Sequence, residues 1–481
     1  MSAAIFLALI VAIAPGKLDA AALQETHRKA QHFIDDESQF HLGVLPTEQS
    51  NPKTAGLAER AQEDLSAAIR MLQAADDAIP PKAAQVLASG EFQRLVGAMR
   101  RAIEGRGQVC FSGCGATGRL SILLETIWRQ FWQELKTQRP ALAARLPNWE
   151  DRVESIMTGG DYALIRSVEN FEDFSIFGRR QVQEARLGRG DVLVAITEGR
   201  ETPSVIGTVW QAVDNGAQVF FVFNNPTEIL ARHIERSRQV LGDARIVKLD
   251  LACGPMAVTG STRMQATTCE LLIVGAALEI ALTESLRARL GDADLAALHV
   301  EVRKPADFGP LFVQLLQGLG QPAAVAAIGG MIRFEEQVYR RKGLVTYMAG
   351  QCLLDIFTDT TERSPTFMLP RFRPSDDHVS PPSWAFVKDP LSSTPQAWRR
   401  LLRREPRCLA WNAETYRALG APPRLQEHPP RLAAGEMLKF KIGNEDDTSR
   451  YRAPDSAAIL IAIGEEVKHL SRPHDPLRAV L

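Results

Sequence analysis

Turns rich in glycine and hydroxyl side chains recur at the ends of apolar runs in this 481-residue chain, and their residue types suit an anion or a carbohydrate. The first is FSGCGATGRLS, residues 111–121, where an apolar run gives way to a helical pattern. Gly113, Gly115 and Gly118 allow close backbone approach and positive φ. Thr117 is expected to cap the following helix, so that its hydroxyl and the free amides of the first turn face an anion. Ala116 and Arg119 complete this candidate binding loop. Its GxGxxG spacing also fits a dinucleotide turn, but the acidic residue that should follow about 20 positions on, at the end of a second strand, is missing. Gln130, Gln133 and Glu134 stand there within the same helical stretch.

Three more segments share that chemistry. In ITEGRETPSVIG, residues 196–207, Thr197, Gly199, Thr202 and Ser204 offer hydroxyls and amides before a helix opened by Pro203. Glu198 and Glu201 would repel a phosphate, and suit instead the hydroxyls of a sugar. In GPMAVTGSTRMQATT, residues 254–268, Ser261 and Thr262 precede a long apolar helix and Arg263 adds a cation. In GGDYALIRSVENFEDF, residues 159–174, Glu169 and Glu172 are three apart and would share a helix face. Such paired carboxyls can transfer protons or hold sugar hydroxyls.

The elements that must carry these turns follow from periodicity. Residues 24–36 and 57–75 read as helices, the second with Leu57, Ala61, Leu65, Ala68, Ile69 and Leu72 at helical spacing. From Phe92 the pattern alternates between strand and helix. Strands are expected at 108–111, near Ile156, and at 191–196, 218–223 and 245–251, and the last is followed by a long helix from about Ser261. That alternation predicts a doubly wound, mostly parallel α/β sheet covered on both faces. In such sheets ligands bind outside the carboxyl ends of the strands, where the hydroxyl-bearing turns fall. Beyond about Asp294 the theme repeats more weakly. A helix at 323–340, a strand in KGLVTYMAG and a late strand at 457–463 flank a Pro-, Arg- and Ser-rich stretch, 371–430, that reads as irregular loops with short helices. The expected organisation is an N-terminal helical segment (1–85), a first α/β unit (86–292) and a reduced second unit (293–481).

Composition narrows the function. The chain is 45% hydrophobic and 23% charged with a net charge of −1, so no basic footprint for nucleic acid exists. The cysteines, Cys110, Cys114, Cys253, Cys269, Cys352 and Cys408, form no CxxC pair and have no histidine at metal-ligand spacing. A reducing compartment and no metal are expected. The apolar run 3–14 is too short to span a bilayer and lacks a basic leader. A cytoplasmic location is the main expectation, with export, cleaved near Ala20–Ala22, as the lesser one.

GCGATGRL, GGDYALIRSVENFED, TPSVIG and VTGSTRM occur in the order found in sugar isomerase (SIS) domains, and more narrowly resemble the branch that holds the N-acetylmuramic acid 6-phosphate etherases and the glucokinase regulatory protein. LPTEQSNPKTAGL, residues 45–57, is similar to the lead-in segment of that branch. The resemblance implies a flavodoxin-like SIS fold, Thr117, Ser261 and Thr262 on the phosphate of a sugar ligand, and Glu169 and Glu172 near its ring. For an etherase it implies two acid–base carboxyls, Glu172 and a second one nine residues after Gly118. That second position is Ile127, and Glu125, about 200° away round the helix, should point elsewhere. The expectation is therefore a phosphosugar-binding protein without metal or nucleotide cofactor, akin to a regulator that reports occupancy to a sugar kinase. The alternatives are an etherase-like lyase or a sugar phosphate isomerase. Glu362, by resemblance, could reach the ligand from the second unit. SIS units pair, so a homodimer or an internal pair would both fit.

Overall fold

The computed structural model describes residues 20–37, 42–168, 170–199, 202–447, 450, 455–470, 472 and 474–476. The apolar run 3–14, Glu169 and Glu201 lie outside the described residues.

Five strands, β1 (Val109–Gly113), β2 (Val153–Met157), β3 (Val192–Ile196), β4 (Gln218–Phe223) and β5 (Ile246–Asp250), form one parallel sheet in the order β2-β1-β3-β4-β5. This is the flavodoxin-like order, whose direction reverses between β1 and β3. Alternating residues divide the strands between two cores. Val109, Phe111, Val192, Val194, Phe220 and Val222 pack under the helices Gly90–Glu104, Gly115–Gln138 and Gln265–Arg287. Cys110, Leu193, Ala195, Val219 and Phe221 pack under Ser175–Ala185 and Pro203–Asp214. Two apolar faces explain why the strands read as continuous apolar runs.

A second parallel sheet, β7-β6-β8, comprises β6 (Val345–Ala349), β7 (Ala385–Lys388) and β8 (Ala457–Ile461). β7 and the helix Thr394–Leu402 lie inside the stretch expected to be irregular. Both are short, and the run of prolines around them masks their periodicity. The core of this sheet takes in Ile122, Met157, Leu164 and Ile165 from the first unit beside Tyr347, Phe386 and Trp398, so the two sheets share packing.

Two helix expectations change. Residues 57–75 break into Leu57–Glu63 and Leu65–Ala75 at Asp64, which is extended (φ −144°) and accepts the Ala67 N–H as a cap. The helix expected from Ser261 starts at Gln265, because residues 261–264 form a turn closed by the Met264 N–H on Ser261 O.

Candidate functional site

The loops after β1, β2 and β3 and the turn before Gln265–Arg287 enclose a cavity of about 510 Å³ at the β1/β3 reversal, within the range of small-molecule sites. Gly115, Ala116 and Arg119 line it from the first loop, Glu172 from the fourth motif, Glu198 and Thr202 from the loop after β3, and Ser261, Thr262 and Arg263 from the turn. Thr361, Glu362 and Arg371 close it from the second unit.

The glycines of the first loop have separate tasks. Gly115 has φ +55°, in the left-handed region. Gly113 lies so close to the next turn that a Cβ would sit 2.4 Å from the Thr117 carbonyl carbon. Gly118 supports the turn from beneath and, like Gly113, does not line the cavity. Thr117 departs from expectation. The helix is capped at Cys114, and Thr117 sits three positions in. Its hydroxyl accepts the Cys114 N–H at 3.0 Å and donates to Cys114 O at 2.9 Å. It is buried, off the cavity wall, and its hydrogen-bonding capacity closes the turn rather than facing a ligand. Thr197 and Gly199 also fall behind the wall, Thr197 donating its N–H to Val222 O.

The lead-in segment builds the turn from behind. Thr47 and Asn225 exchange two hydrogen bonds, Thr47 N–H to Asn225 Oδ1 at 3.2 Å and Asn225 Nδ2 to Thr47 Oγ1 at 3.0 Å. Asn51 Nδ2 donates to Pro255 O, Thr54 Oγ1 to Ala257 O, and Gly260 N–H to Thr47 O. Residues some 200 positions apart thus hold Ser261 in place. There Ser261 Oγ, Arg263 Nε and Glu198 Oε1 are each buried without a hydrogen-bond partner.

Charge is distributed unevenly over the wall. Arg119 is held by an ion pair with Glu362 and donates to Leu164 O at 3.0 Å and Thr361 Oγ1 at 3.3 Å, so it bridges the two units instead of facing the cavity with free donors. Arg263 gives its terminal nitrogens to Asp359 O and Thr358 O. Arg166, half-buried in the cavity lining, makes no ion pair among the described residues, and although it lies in the fourth motif it is not one of the candidate residues there. Glu172, exposed, accepts a hydrogen bond from Cys114 Sγ at 2.9 Å. Glu198 is 8% exposed. Burial, with the nearby Glu362 and Glu48 carboxyls, pushes its pKa up to about 7 against the pull of its backbone and the Thr262 side chain. Behind it Glu270, fully buried, is pushed well above the carboxylate range by burial and by Glu198, while Asn224 Nδ2 donates to it at 2.6 Å.

Ile127, the position at which the resemblance to etherases puts an acid, is 51% exposed and does not line the cavity. The helix stays unbroken to Gln138, and at 1.5 Å per residue Ile127 lies roughly 12 Å beyond Arg119. Reading it as a defect in the pocket is corrected: in this chain that position does not face the pocket. Glu125 does point elsewhere, as expected. It is buried among Arg129, Arg404, Arg407 and Ser155. Burial raises its pKa, but the three guanidiniums outweigh it and hold the carboxyl below its usual range.

Residues 92–213 match the family described as Glucokinase regulatory protein N-terminal SIS domain. An N-acetylmuramic acid 6-phosphate etherase from Deinococcus radiodurans is 30% identical over 295 residues, 60% of this chain and 85% of that protein. N-acetylmuramic acid 6-phosphate etherase 1 from Bacillus licheniformis is 25% identical over 236 residues, 49% of this chain and 67% of its own. Among solved structures, a phosphoheptose isomerase from Neisseria gonorrhoeae overlaps with a TM-score of 0.29 and 16% identity, covering 46% of this chain and 98% of that one. With the Deinococcus relative matched over most of its length, the chain belongs to the SIS-domain family of the N-acetylmuramic acid 6-phosphate etherase and glucokinase regulatory protein type.

Proposed function

We propose that the cavity binds a phosphorylated sugar. The observation that carries this reading is the trio of buried, unpartnered polar atoms on one wall: Ser261 Oγ, Arg263 Nε and Glu198 Oε1. Leaving such a group unpaired costs about 1–3 kcal/mol, so three together favour a ligand that pairs them. The chemistry divides in two. Ser261, Thr262 and Arg263 offer hydroxyls and a cation to phosphate, and Arg166 adds charge to the lining. Glu172 and Glu198 offer acceptors to ring hydroxyls. Because Thr361, Glu362 and Arg371 share the wall, an occupant would touch both units. That supports a sensor, whose protein partner would by analogy be a sugar kinase.

The test is calorimetry and thermal unfolding against hexose 6-phosphates, hexose 1-phosphates and amino-sugar phosphates. Binding of at least one with a rise in Tm is the expected result, and an unchanged Tm with all of them would sink the proposal. A second reading, a lyase cleaving a lactyl ether, draws on the names of the two relatives and on Glu172 at the cavity wall. Lactate release from N-acetylmuramic acid 6-phosphate would separate it from a pure binder.

A further inference from the structure

We propose that Glu198 is an acid–base group that exchanges a proton with the bound sugar phosphate, so that the site is catalytic without an acid at position 127. The inference rests on the phosphosugar reading of the same cavity.

Three carboxyl-bearing residues line the cavity among the described residues: Glu172, Glu198 and Glu362. Glu362 is tied to Arg119 by an ion pair, and a carboxylate neutralised in that way is a poor proton carrier. Glu172 is exposed and already accepts the Cys114 thiol proton in a hydrogen bond. Glu198 differs from both. It is more than nine-tenths buried, lines the cavity, and keeps Oε1 without a partner. The groups that face it are Glu48 from Pro46–Glu48, Glu270 from Gln265–Arg287, Glu362 from Leu353–Phe367 and Thr262 from the turn. Of the two arginines that line this part of the cavity, Arg119 is committed to Glu362 in an ion pair and Arg263 gives its terminal nitrogens to Asp359 O and Thr358 O. Burial and carboxyls from three elements therefore bear on Glu198, and no ion pair to it forms among the described residues, which lets it hold or release a proton near neutral pH.

With Glu172 as base and Glu198 as acid, the step balances. Glu172 takes the proton from the carbon next to the sugar carbonyl, and the C–H electron pair becomes the C=C bond of an enediol. Glu198 delivers its proton to the carbonyl oxygen. Before reversal the proton on Glu172 exchanges with heavy water, so that Glu172 returns a deuteron to carbon while the Glu198 carboxylate takes back the proton of the enediol oxygen and the carbonyl re-forms. No oxidant, metal or co-substrate is consumed.

The experiment incubates the full chain with glucosamine 6-phosphate, fructose 6-phosphate and N-acetylmuramic acid 6-phosphate in heavy water. Loss of the C2 or C1 proton signal is followed by NMR, with binding measured in parallel. Wild type is expected to exchange the C–H of at least one bound probe, with a rate that falls as pH rises through about 7. Glu198→Gln, which retains an acceptor oxygen for a ring hydroxyl, is expected to weaken binding by no more than about fivefold and to lose about 100-fold or more of the exchange. Binding without exchange, or exchange at full rate in Glu198→Gln, overturns the proposal while leaving the binding site intact. Absence of binding to every probe overturns the phosphosugar reading and this proposal with it. Should the variant fail to fold, the wild-type profile decides: an exchange rate that does not fall as pH rises overturns the assignment of Glu198 as the acid.

Discussion

At the scale of single residues, Ser261 and Glu198 separate stability from function. The Ser261 hydroxyl is buried and has no hydrogen-bond partner, so removing it takes away a cost rather than a bond. Ser261→Ala is expected to leave Tm unchanged or slightly higher while weakening sugar phosphate binding by about 1 kcal/mol, roughly fivefold. Calorimetry beside thermal unfolding checks both. Glu198 has a folded pKa raised to about 7, so the folded state holds its proton more tightly than the unfolded chain. Its contribution is most favourable below the ordinary carboxylate range, declines as pH rises toward 7, and is flat above that. Glu198→Gln is therefore expected to melt higher relative to wild type near pH 8 than near pH 5. A constant difference between the two melting curves across that range would contradict the assignment.

At the scale of elements, two helices meet backbone to backbone beneath the site. A Cβ on Gly178 would lie 1.8 Å from Ser204 O, and one on Gly207 would lie 1.9 Å from Ser175 O. That closeness lets Ser204 N–H reach Glu172 O at 2.9 Å and Ser204 Oγ meet Thr158 Oγ1 at 2.9 Å. Gly207→Ala must part the helices, and a loss of about 3 kcal/mol or more is expected by urea unfolding, with weaker ligand binding because the Glu172 segment shifts. The helix Gly115–Gln138 supports the opposite expectation. Ile127 is solvent-facing and distant from its N-terminus, so Ile127→Glu is expected to change stability by no more than about 0.5 kcal/mol and to create no lyase activity.

At the scale of the whole molecule, ion pairs bind the C-terminal segment to the first sheet. Arg404 joins Asp161, at 2.5 and 3.2 Å, to Glu125 at 2.9 Å, while the Arg407 backbone N–H also donates to Asp161. Asp161 begins the loop that supplies Ala163, Ile165 and Arg166 to the cavity. Arg404→Ala leaves two buried carboxyls without their shared partner, and a loss of about 3–5 kcal/mol is expected in urea unfolding. If the clamp also orders the cavity loop, sugar phosphate affinity should fall with it. On the far side Arg119 joins Glu362 and Thr361 to the first unit, so ligand occupancy and cohesion of the units should rise together.

The doubly wound sheet, its strands and the turns at their carboxyl ends were readable from local pattern, because apolar runs and Gly- or hydroxyl-rich turns act within a few residues. β4 was expected at 218–223 and stands at Gln218–Phe223. Ser261, Thr262 and Arg263, expected at the start of the long helix, stand instead in a turn before it and line the cavity together. Tertiary structure alone decided which hydroxyls are free: Thr117 matches the same motif logic as Ser261, yet its bonds close on Cys114, while the lead-in segment from Thr47 leaves Ser261 open. It also decided that Glu198 sits among carboxyls from three elements and that position 127 faces water. Burial and electrostatic environment are sums over groups distant in sequence, and no window along the chain contains them.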